Sequence, residues 1–199
     1  ARLQLLRPEL PIKCRVASSW RLLYRPEVHG VSMGTFFRQC QVSREASPSE
    51  TLILVEDTEG AVFGGFASHT WHVAQRHFGH ADCFVFRFEE DLQVHRWAGL
   101  NSYFLFADAS GLKLGGGRHP ALWIDRDFLR GASGPCETFG TAGALHGVVP
   151  ELSGDFVVKT FECWGFDCLD PPKEDTGWER RQAGAWQACR SYQHLLRGA

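Results

Sequence analysis

The chain has 199 residues, of which 44% are hydrophobic and 22% charged, and its formal net charge is -2. This balance excludes an intrinsically disordered chain and offers no basic footprint for general nucleic-acid binding. Its longest apolar runs, such as 52–55, fall far short of the ~20 residues that a membrane-spanning helix needs, so no membrane insertion is expected. Glycine (21 residues) and aromatic residues (13%) are abundant, which favours strands and tight turns.

Residues 1–17 contain two prolines and are too short to fold alone, so we expect an N-terminal extension. The folded body begins with an apolar run over 20–24 that suits a buried strand. Ser32 is then a suitable N-cap for a helix in which the spacing places Phe36 and Cys40 on one face.

The next segment predicts a β-hairpin. Apolar residues fill 51–56 and 61–68, and a polar turn over 57–60 separates them. Gly64 and Gly65 lie inside the second strand, where paired glycines indicate a bulge or a close approach of another backbone.

Phenylalanine at every second position from 84 to 88 predicts a strand with one deeply buried face. Strands this short, at roughly ten-residue spacing with turns between them, predict a sandwich of two antiparallel sheets with short flanking helices, a mainly β (α+β) fold. The segment 111–117 has the composition of a glycine-rich connection. Further strands are expected over 93–97, 102–106, 121–125 and 155–164, the last with a bulge or burial on both faces.

Beyond residue 167 the composition changes. Two prolines and several charges over 170–177 indicate a linker, so we divide the chain into an extension (1–17), a domain (18–167) and a linker with a C-terminal helix (168–199). Trp178, Trp186 and Leu196 lie near one face of that amphipathic helix. Such a helix must bury its apolar face against its own domain or against a partner.

Four side chains are weak candidates for catalysis. Asp125 and Asp127 are two positions apart at a strand end, where they would hold a cation, act as an acid–base pair, or simply form a turn. Glu162 sits in a hydrophobic strand, so its carboxylate either faces water or needs a partner. Cys136 follows a Gly-Pro turn, which predicts an exposed and redox-accessible thiol.

Metal binding is not favoured. His69, His72, His77 and His80 could converge on an ion, but they lie between strands without a zinc-binding helix motif, so a solvated loop is the preferred interpretation. The seven cysteines are scattered without a C-x-x-C pair, which is typical of reduced thiols in the cytoplasm. We therefore expect no metal and no cofactor.

Eight short motifs, in this order along the chain, resemble the TLDc domain of the oxidation-resistance protein family. The first four are His29-Gly30-Val31-Ser32 with Phe36-Phe37, Val62-Phe63-Gly64-Gly65-Phe66-Ala67-Ser68, Phe78-Gly79 with Cys83-Phe84-Val85-Phe86, and Trp97-Ala98-Gly99-Leu100-Asn101-Ser102-Tyr103-Phe104. The others are Leu114-Gly115-Gly116-Gly117, Ala121-Leu122-Trp123-Ile124-Asp125-Arg126-Asp127, Arg130-Gly131-Ala132-Ser133 with Cys136-Glu137-Thr138-Phe139, and Phe161-Glu162-Cys163-Trp164-Gly165-Phe166.

The resemblance implies a sandwich of two antiparallel sheets and a mainly non-catalytic role. It also implies protection against oxidative stress, and binding and regulation of the vacuolar proton-pumping ATPase (V-ATPase). We expect the domain to be monomeric and cytoplasmic, held at the periphery of organelle membranes through a partner. By the same resemblance, the C-terminal helix would help to grip the pump. The glycines expected to shape the interaction loops are Gly64, Gly65, Gly115, Gly116 and Gly117.

Three hypotheses for function follow. The leading one is a protein-interaction module that binds V-ATPase subunits, supported by the motif set and by the spare helix. The second is a thiol-based antioxidant or a hydrolytic enzyme that uses Cys136, Glu162 or the two aspartates. The third is a structural component of another cytoplasmic assembly, such as a ciliary or cytoskeletal lattice.

Overall fold

The computed structural model describes residues 2–42, 49–147 and 154–167. The strands are β1 Ser19–Tyr24, β2 Thr51–Asp57, β3 Val62–Ala67, β4 Phe84–Phe88, β5 Leu92–Arg96, β6 Leu105–Asp108, β7 Gly111–Leu114, β8 Leu122–Asp125, β9 Arg130–Ser133 and β10 Gly154–Asp167. The helices are α1 Arg2–Leu6, α2 Ile12–Arg15, α3 Pro26–His29 and α4 Met33–Val42, with a 3-10 turn over Arg7–Glu9. Across these ranges, no helix is both long enough and apolar enough to cross a bilayer.

The strands form one antiparallel hydrogen-bonded path in the order β5-β4-β3-β2-β10-β9-β8-β7-β6, and β1 pairs with β10 outside this path. The long β10 joins two groups of strands. Its first part, 154–157, pairs with β9, whereas its later part pairs with β2 and β1. The register with β2 shifts between Val158 and Thr160, so the expected irregularity in this strand is confirmed. The mainly β fold with few short helices is confirmed, and the division into two stacked sheets stays a prediction.

The predicted hairpin of β2 and β3 is confirmed. Leu54 lies opposite Gly64 in a continuous register without a bulge. A Cβ on Gly64 would collide with the backbone carbonyl of Ile53 and come within 2.9 Å of the Phe86 ring. The paired glycines therefore reflect close packing across the sheet, which is one of the two interpretations that the sequence left open.

An inner apolar cluster lies between α4 and both groups of strands. Phe36 and Cys40 of α4 are buried in it, together with residues such as Ile53, Ile124 and Phe161. The Ser32 side chain accepts a hydrogen bond from the backbone amide of Thr35 at 3.2 Å, so the predicted N-cap of α4 is confirmed. The helix thus buries the face that its sequence spacing predicts.

An outer apolar cluster covers the opposite face of β2, β3 and β4. The N-terminal segment contributes to it directly, because Leu6, Leu10 and Cys14 are fully buried there against residues such as Phe66 and Phe84. Glu9 anchors the same segment through an ion pair of 2.7 Å with Arg96, and a second ion pair joins Lys13 to Glu50. Residues 2–17 therefore pack on the sheet as part of the core.

One strand replaces a segment that we expected to be a connection, and another forms where no strand was predicted. Gly111–Leu114 forms β7, where Leu112 and Leu114 are buried and Lys113 is not, so a period of two was hidden by the neighbouring glycines. The segment 130–133 forms β9, whose small residues allow the Phe156 ring to lie against Gly131. Strand β6 also begins at Leu105, later than expected. The predicted linker and helix over 168–199 lie outside the described residues.

Candidate functional site

Cys136 is not the exposed thiol that the sequence predicts. Its side chain is 2% exposed, and its Sγ donates to the carbonyl oxygen of Gly116 at 3.4 Å. Backbone hydrogen bonds of 3.1 and 3.2 Å between Cys136 and Thr141 fold this loop back on itself. That loop closure encloses the sulfur, so the expectation of an accessible thiol is wrong.

Glu162 has a defined partner instead of facing water. Its side chain is 14% exposed, and Oε1 forms an ion pair of 2.7 Å with the guanidinium of Arg25. The second carboxylate oxygen accepts a hydrogen bond of 2.8 Å from the Trp164 indole. Both oxygens are therefore engaged in contacts that stabilise the end of β1 against β10.

Asp125 and Asp127 do not share a strand face. Strand β8 ends at Asp125, whose Oδ1 accepts a hydrogen bond of 2.9 Å from the amide of Leu129. Asp127 lies in the turn that follows and makes an exposed ion pair of 3.6 Å with Arg126. Phe128 has a positive φ of 55°, which marks a tight turn. The turn-forming interpretation of these aspartates is the one that the structure supports.

Within the described residues, no hydrogen bond or ion pair joins any two of these four candidates. The histidines do not assemble a metal centre there either, because no group of three potential ligands in the described ranges could hold an ion. His69 and His80 approach with ring centroids 5.2 Å apart, and His69 Nδ1 lies 3.1 Å from the Ser68 hydroxyl. These contacts organise a loop next to β3.

The five candidate glycines fall into two groups. Gly64 and Gly65 are buried inside β3, so a partner cannot contact them directly. Gly115, Gly116 and Gly117 follow β7 and reach the surface progressively, from buried to exposed. The remaining interaction candidates, Trp178, Trp186 and Leu196, lie outside the described residues.

Three loops meet around Gly115–Gly117, and we call them the glycine-loop surface: residues 97–103, 115–117 and 136–141. Thr138 is the fully buried centre of this arrangement. Its hydroxyl donates to Asn101 Oδ1 at 2.7 Å and accepts from the amide of Gly116 at 2.9 Å. Its carbonyl oxygen accepts from the amide of Ala98 at 2.8 Å. One side chain thus connects all three loops.

The close approach of these loops requires glycine. Gly115 has φ of +78°, and a Cβ there would lie 2.5 Å from the sulfur of Cys136. Gly117 has φ of +108°, and its Cβ would lie 2.6 Å from the Glu137 carboxylate. Any other residue would strain the backbone and push the loops apart. The role of these glycines is therefore to shape the loops.

Large apolar side chains project from the same surface. Leu100 is 72% exposed, Tyr103 45% and Trp97 44%. The Trp97 indole donates to the carbonyl oxygen of Asn101 at 2.7 Å, and the His77 ring packs on Tyr103 with centroids 4.6 Å apart. The aromatic rings are thus held in place before any partner arrives, and such rigid aromatic anchors suit protein recognition.

The sequence did not identify these three side chains as surface residues. A strand was expected over 102–106, which would have buried alternate residues, but β6 begins only at Leu105. The available signal was Gly99, whose φ of +80° bends the segment outward next to Leu100. A glycine inside an aromatic segment thus marked a loop, although local pattern did not predict which residues it would expose.

Comparison with known proteins identifies the family. The model of the TLDc domain matches residues 2–167. The chain belongs to the TLDc-domain family. The match includes the N-terminal residues that pack on the sheet of this TLDc domain, in accord with their place in the core.

Curated relatives are similar to a large part of this chain. Nuclear receptor coactivator 7 from Homo sapiens is 33% identical over 149 residues, which are 74% of this chain and 15% of the relative. Oxidation resistance protein 1 is 31% identical in Xenopus tropicalis and 33% identical in Rattus norvegicus, again over 74% of this chain and over 16% and 17% of those relatives. The chain thus spans about a sixth of the length of the curated relatives it matches.

Proposed function

We propose that this TLDc domain is a binding module for the V-ATPase and that it regulates the pump by docking on it, without catalysis. The observation that carries the proposal is the glycine-loop surface, where Trp97, Leu100 and Tyr103 are exposed on loops that hydrogen bonds hold in place. A preformed apolar patch loses little conformational entropy when it binds, which favours tight association.

Three of the four weak catalytic candidates support the same proposal. Cys136 is enclosed, Glu162 is paired with Arg25, and Asp125 is used by a turn. Each side chain is therefore engaged in holding the fold, whereas catalysis requires a nucleophile or base that a substrate can reach.

A role in oxidative-stress protection is part of the proposal. It rests on the relatives called oxidation resistance protein 1, of which this chain resembles only a part. We propose that the protection follows from regulation of the pump by a monomeric domain on its cytoplasmic side. The amphipathic segment 178–197 would add a second contact, because its sequence offers an apolar helical face.

The test is recovery of intact V-ATPase by the purified, immobilised chain from solubilised vacuolar or lysosomal membranes. We expect the pump subunits to be retained by the full chain and to be retained less strongly by a chain that lacks 168–199. Cross-linking mass spectrometry in cells should then place lysines near the glycine-loop surface, such as Lys113, next to pump subunits. Failure to recover pump subunits with either chain, or cross-links only to a cytoskeletal or ciliary lattice, would overturn the proposal.

A further inference from the structure

Two buried cysteines from distant parts of the chain meet inside the inner apolar cluster. Cys40 lies on α4 and Cys163 on β10, 123 positions apart, yet their sulfur atoms are 3.9 Å from each other. Cys40 is 2% exposed and Cys163 is fully buried. Cys83 and Cys136 instead donate their thiol protons to oxygen atoms of Ser68 and Gly116. Cys40 and Cys163 therefore contact each other through sulfur, whereas the thiols of Cys83 and Cys136 contact oxygen atoms.

We propose that Cys40 and Cys163 are a modification site that forms a disulfide when a small, uncharged two-electron oxidant such as hydrogen peroxide reaches them. This reaction is independent of the proposed docking on the V-ATPase. A peroxide molecule suits the site because the surroundings are apolar, which disfavours a charged reagent.

The chemistry is balanced by one peroxide molecule. The thiolate of one cysteine attacks an oxygen of hydrogen peroxide, which forms a sulfenic acid and releases hydroxide. The sulfur of the second cysteine then attacks the sulfenic sulfur, the S–S bond forms, and the displaced hydroxyl leaves as water with the second thiol proton. Two thiols and one peroxide thus yield one disulfide and two waters, and the peroxide is reduced.

The geometry allows the two sulfur atoms to approach to bonding distance. A disulfide bond is about 2.05 Å long, so the two sulfur atoms must close a gap of about 2 Å. Strand β10 is held at Cys163 by pairing with Ile53 on one side and with Tyr24 on the other. Helix α4 has no such ladder and packs through one stripe that includes Phe36, so it is the element that shifts.

The same apolar surroundings limit the rate of oxidation. The hydrogen bond with Cys163, together with burial, raises the pKa of Cys40 well above its ordinary range, so little thiolate is present at neutral pH. Oxidation therefore requires a local opening of α4, and low concentrations of urea should accelerate it. Once a sulfenic acid forms, the adjacent thiol captures it before a second peroxide arrives.

The experiment uses the full chain, fully reduced and then freed of reductant, and treated with hydrogen peroxide. Remaining thiols are blocked with N-ethylmaleimide under denaturing conditions, and the digest is analysed by mass spectrometry without reduction. We expect one cross-linked peptide pair that joins Cys40 to Cys163, with Cys14, Cys83 and Cys136 alkylated. The same pair should persist in a Cys168→Ser/Cys189→Ser background, which removes the two cysteines outside the described residues.

Variants separate the pair from general oxidation. Cys40→Ser and Cys163→Ser should each abolish the cross-link, whereas Cys83→Ser, a matched buried cysteine, should keep it. The oxidised wild type should melt roughly 5–15 °C above the reduced protein, because the new bond closes a long loop of the unfolded chain. The proposal is overturned if peroxide oxidises other cysteines while Cys40 and Cys163 are both recovered alkylated in the wild type.

Discussion

Thr138 donates its hydroxyl proton to Asn101 Oδ1 at 2.7 Å and thereby joins two loops whose residues are 37 positions apart. The same hydroxyl accepts the amide proton of Gly116, so the third loop is tied to the same atom. A fully buried side chain with this role fixes the loops more strongly than an exposed contact, because its lost partners could not be replaced by water.

We expect Thr138→Val to lower the free energy of unfolding by about 1–3 kcal/mol, since the change is nearly isosteric but leaves buried polar groups unpaired. Chemical denaturation measures this loss. The matched control is Thr58→Val, at an exposed position of the β2–β3 turn, where the change should stay within about 0.5 kcal/mol. Equal effects at both positions would contradict the central role of Thr138.

Gly115→Ala tests whether close loop packing or backbone conformation requires the glycine. Gly30 provides the control, because its φ of +82° resembles that of Gly115 but a Cβ there meets nothing within 4 Å. Both substitutions strain the backbone, whereas only Gly115→Ala also drives a methyl group into Cys136 and Phe139. Gly115→Ala should therefore cost about 1–3 kcal/mol more than Gly30→Ala in thermal or urea unfolding. Similar losses of stability in the two variants would show that the loops shift to make room for the methyl group.

Removing the charge of Glu162 from its ion pair with Arg25 should cause a modest loss of stability. Glu162→Gln keeps an oxygen for the Trp164 indole but loses the charged pair, so the free energy of unfolding should fall by about 1–2 kcal/mol. Glu59→Gln is the control, at an exposed turn residue, with an expected change within about 0.5 kcal/mol. If Glu162→Gln were as stable as the wild type, the structural role of the ion pair would be contradicted and Glu162 would again be a candidate functional residue.

His95 predicts a dependence of stability on pH. Burial and, to a smaller extent, the nearby charge of Arg87 lower the pKa of His95 below its ordinary value of 6.5. The unfolded chain therefore binds this proton more readily than the folded chain, so its contribution is complete above about pH 6.5 and is lost as the pH falls towards the lowered pKa.

Urea unfolding of wild type and His95→Gln between pH 8 and pH 5 measures this contribution. The free energy of unfolding of the wild type should decline relative to that of His95→Gln as the pH falls below 6.5. Thr58→Val, at an exposed position without a titratable side chain, should follow the wild type at every pH. A constant difference between wild type and His95→Gln across the range would contradict the lowered pKa.

Local pattern predicted the elements whose signal is contained in a few neighbouring residues. The alternating Phe84 and Phe86 gave β4, the capping side chain of Ser32 gave the start of α4, and the apolar runs gave the β2–β3 hairpin. Each depends on short-range geometry, the period of a strand or the first turn of a helix.

Features that depend on distant contacts were not predicted. Cys136 is buried because its loop lies against Gly116, 20 positions away in the chain, and this contact has no signature near the cysteine. The N-terminal segment joins the core because its Leu6 and Leu10 cover the phenylalanine face of β4. The phenylalanine pattern predicted that this face is buried but not which segment covers it. The glycine-loop surface likewise arises from three segments that only the complete fold brings together.

Docking through the glycine-loop surface is tested most directly by the affinity of purified V-ATPase for Leu100→Glu. Leu100 is 72% exposed, so the charge should leave the fold intact while it disrupts an apolar contact. The control is Val28→Glu, at an exposed apolar residue of α3 that is 64% accessible. We expect wild type and Val28→Glu to bind alike and Leu100→Glu to bind at least about tenfold more weakly, a loss of ~1.4 kcal/mol. Equal binding of Leu100→Glu and wild type would contradict docking through the glycine-loop surface.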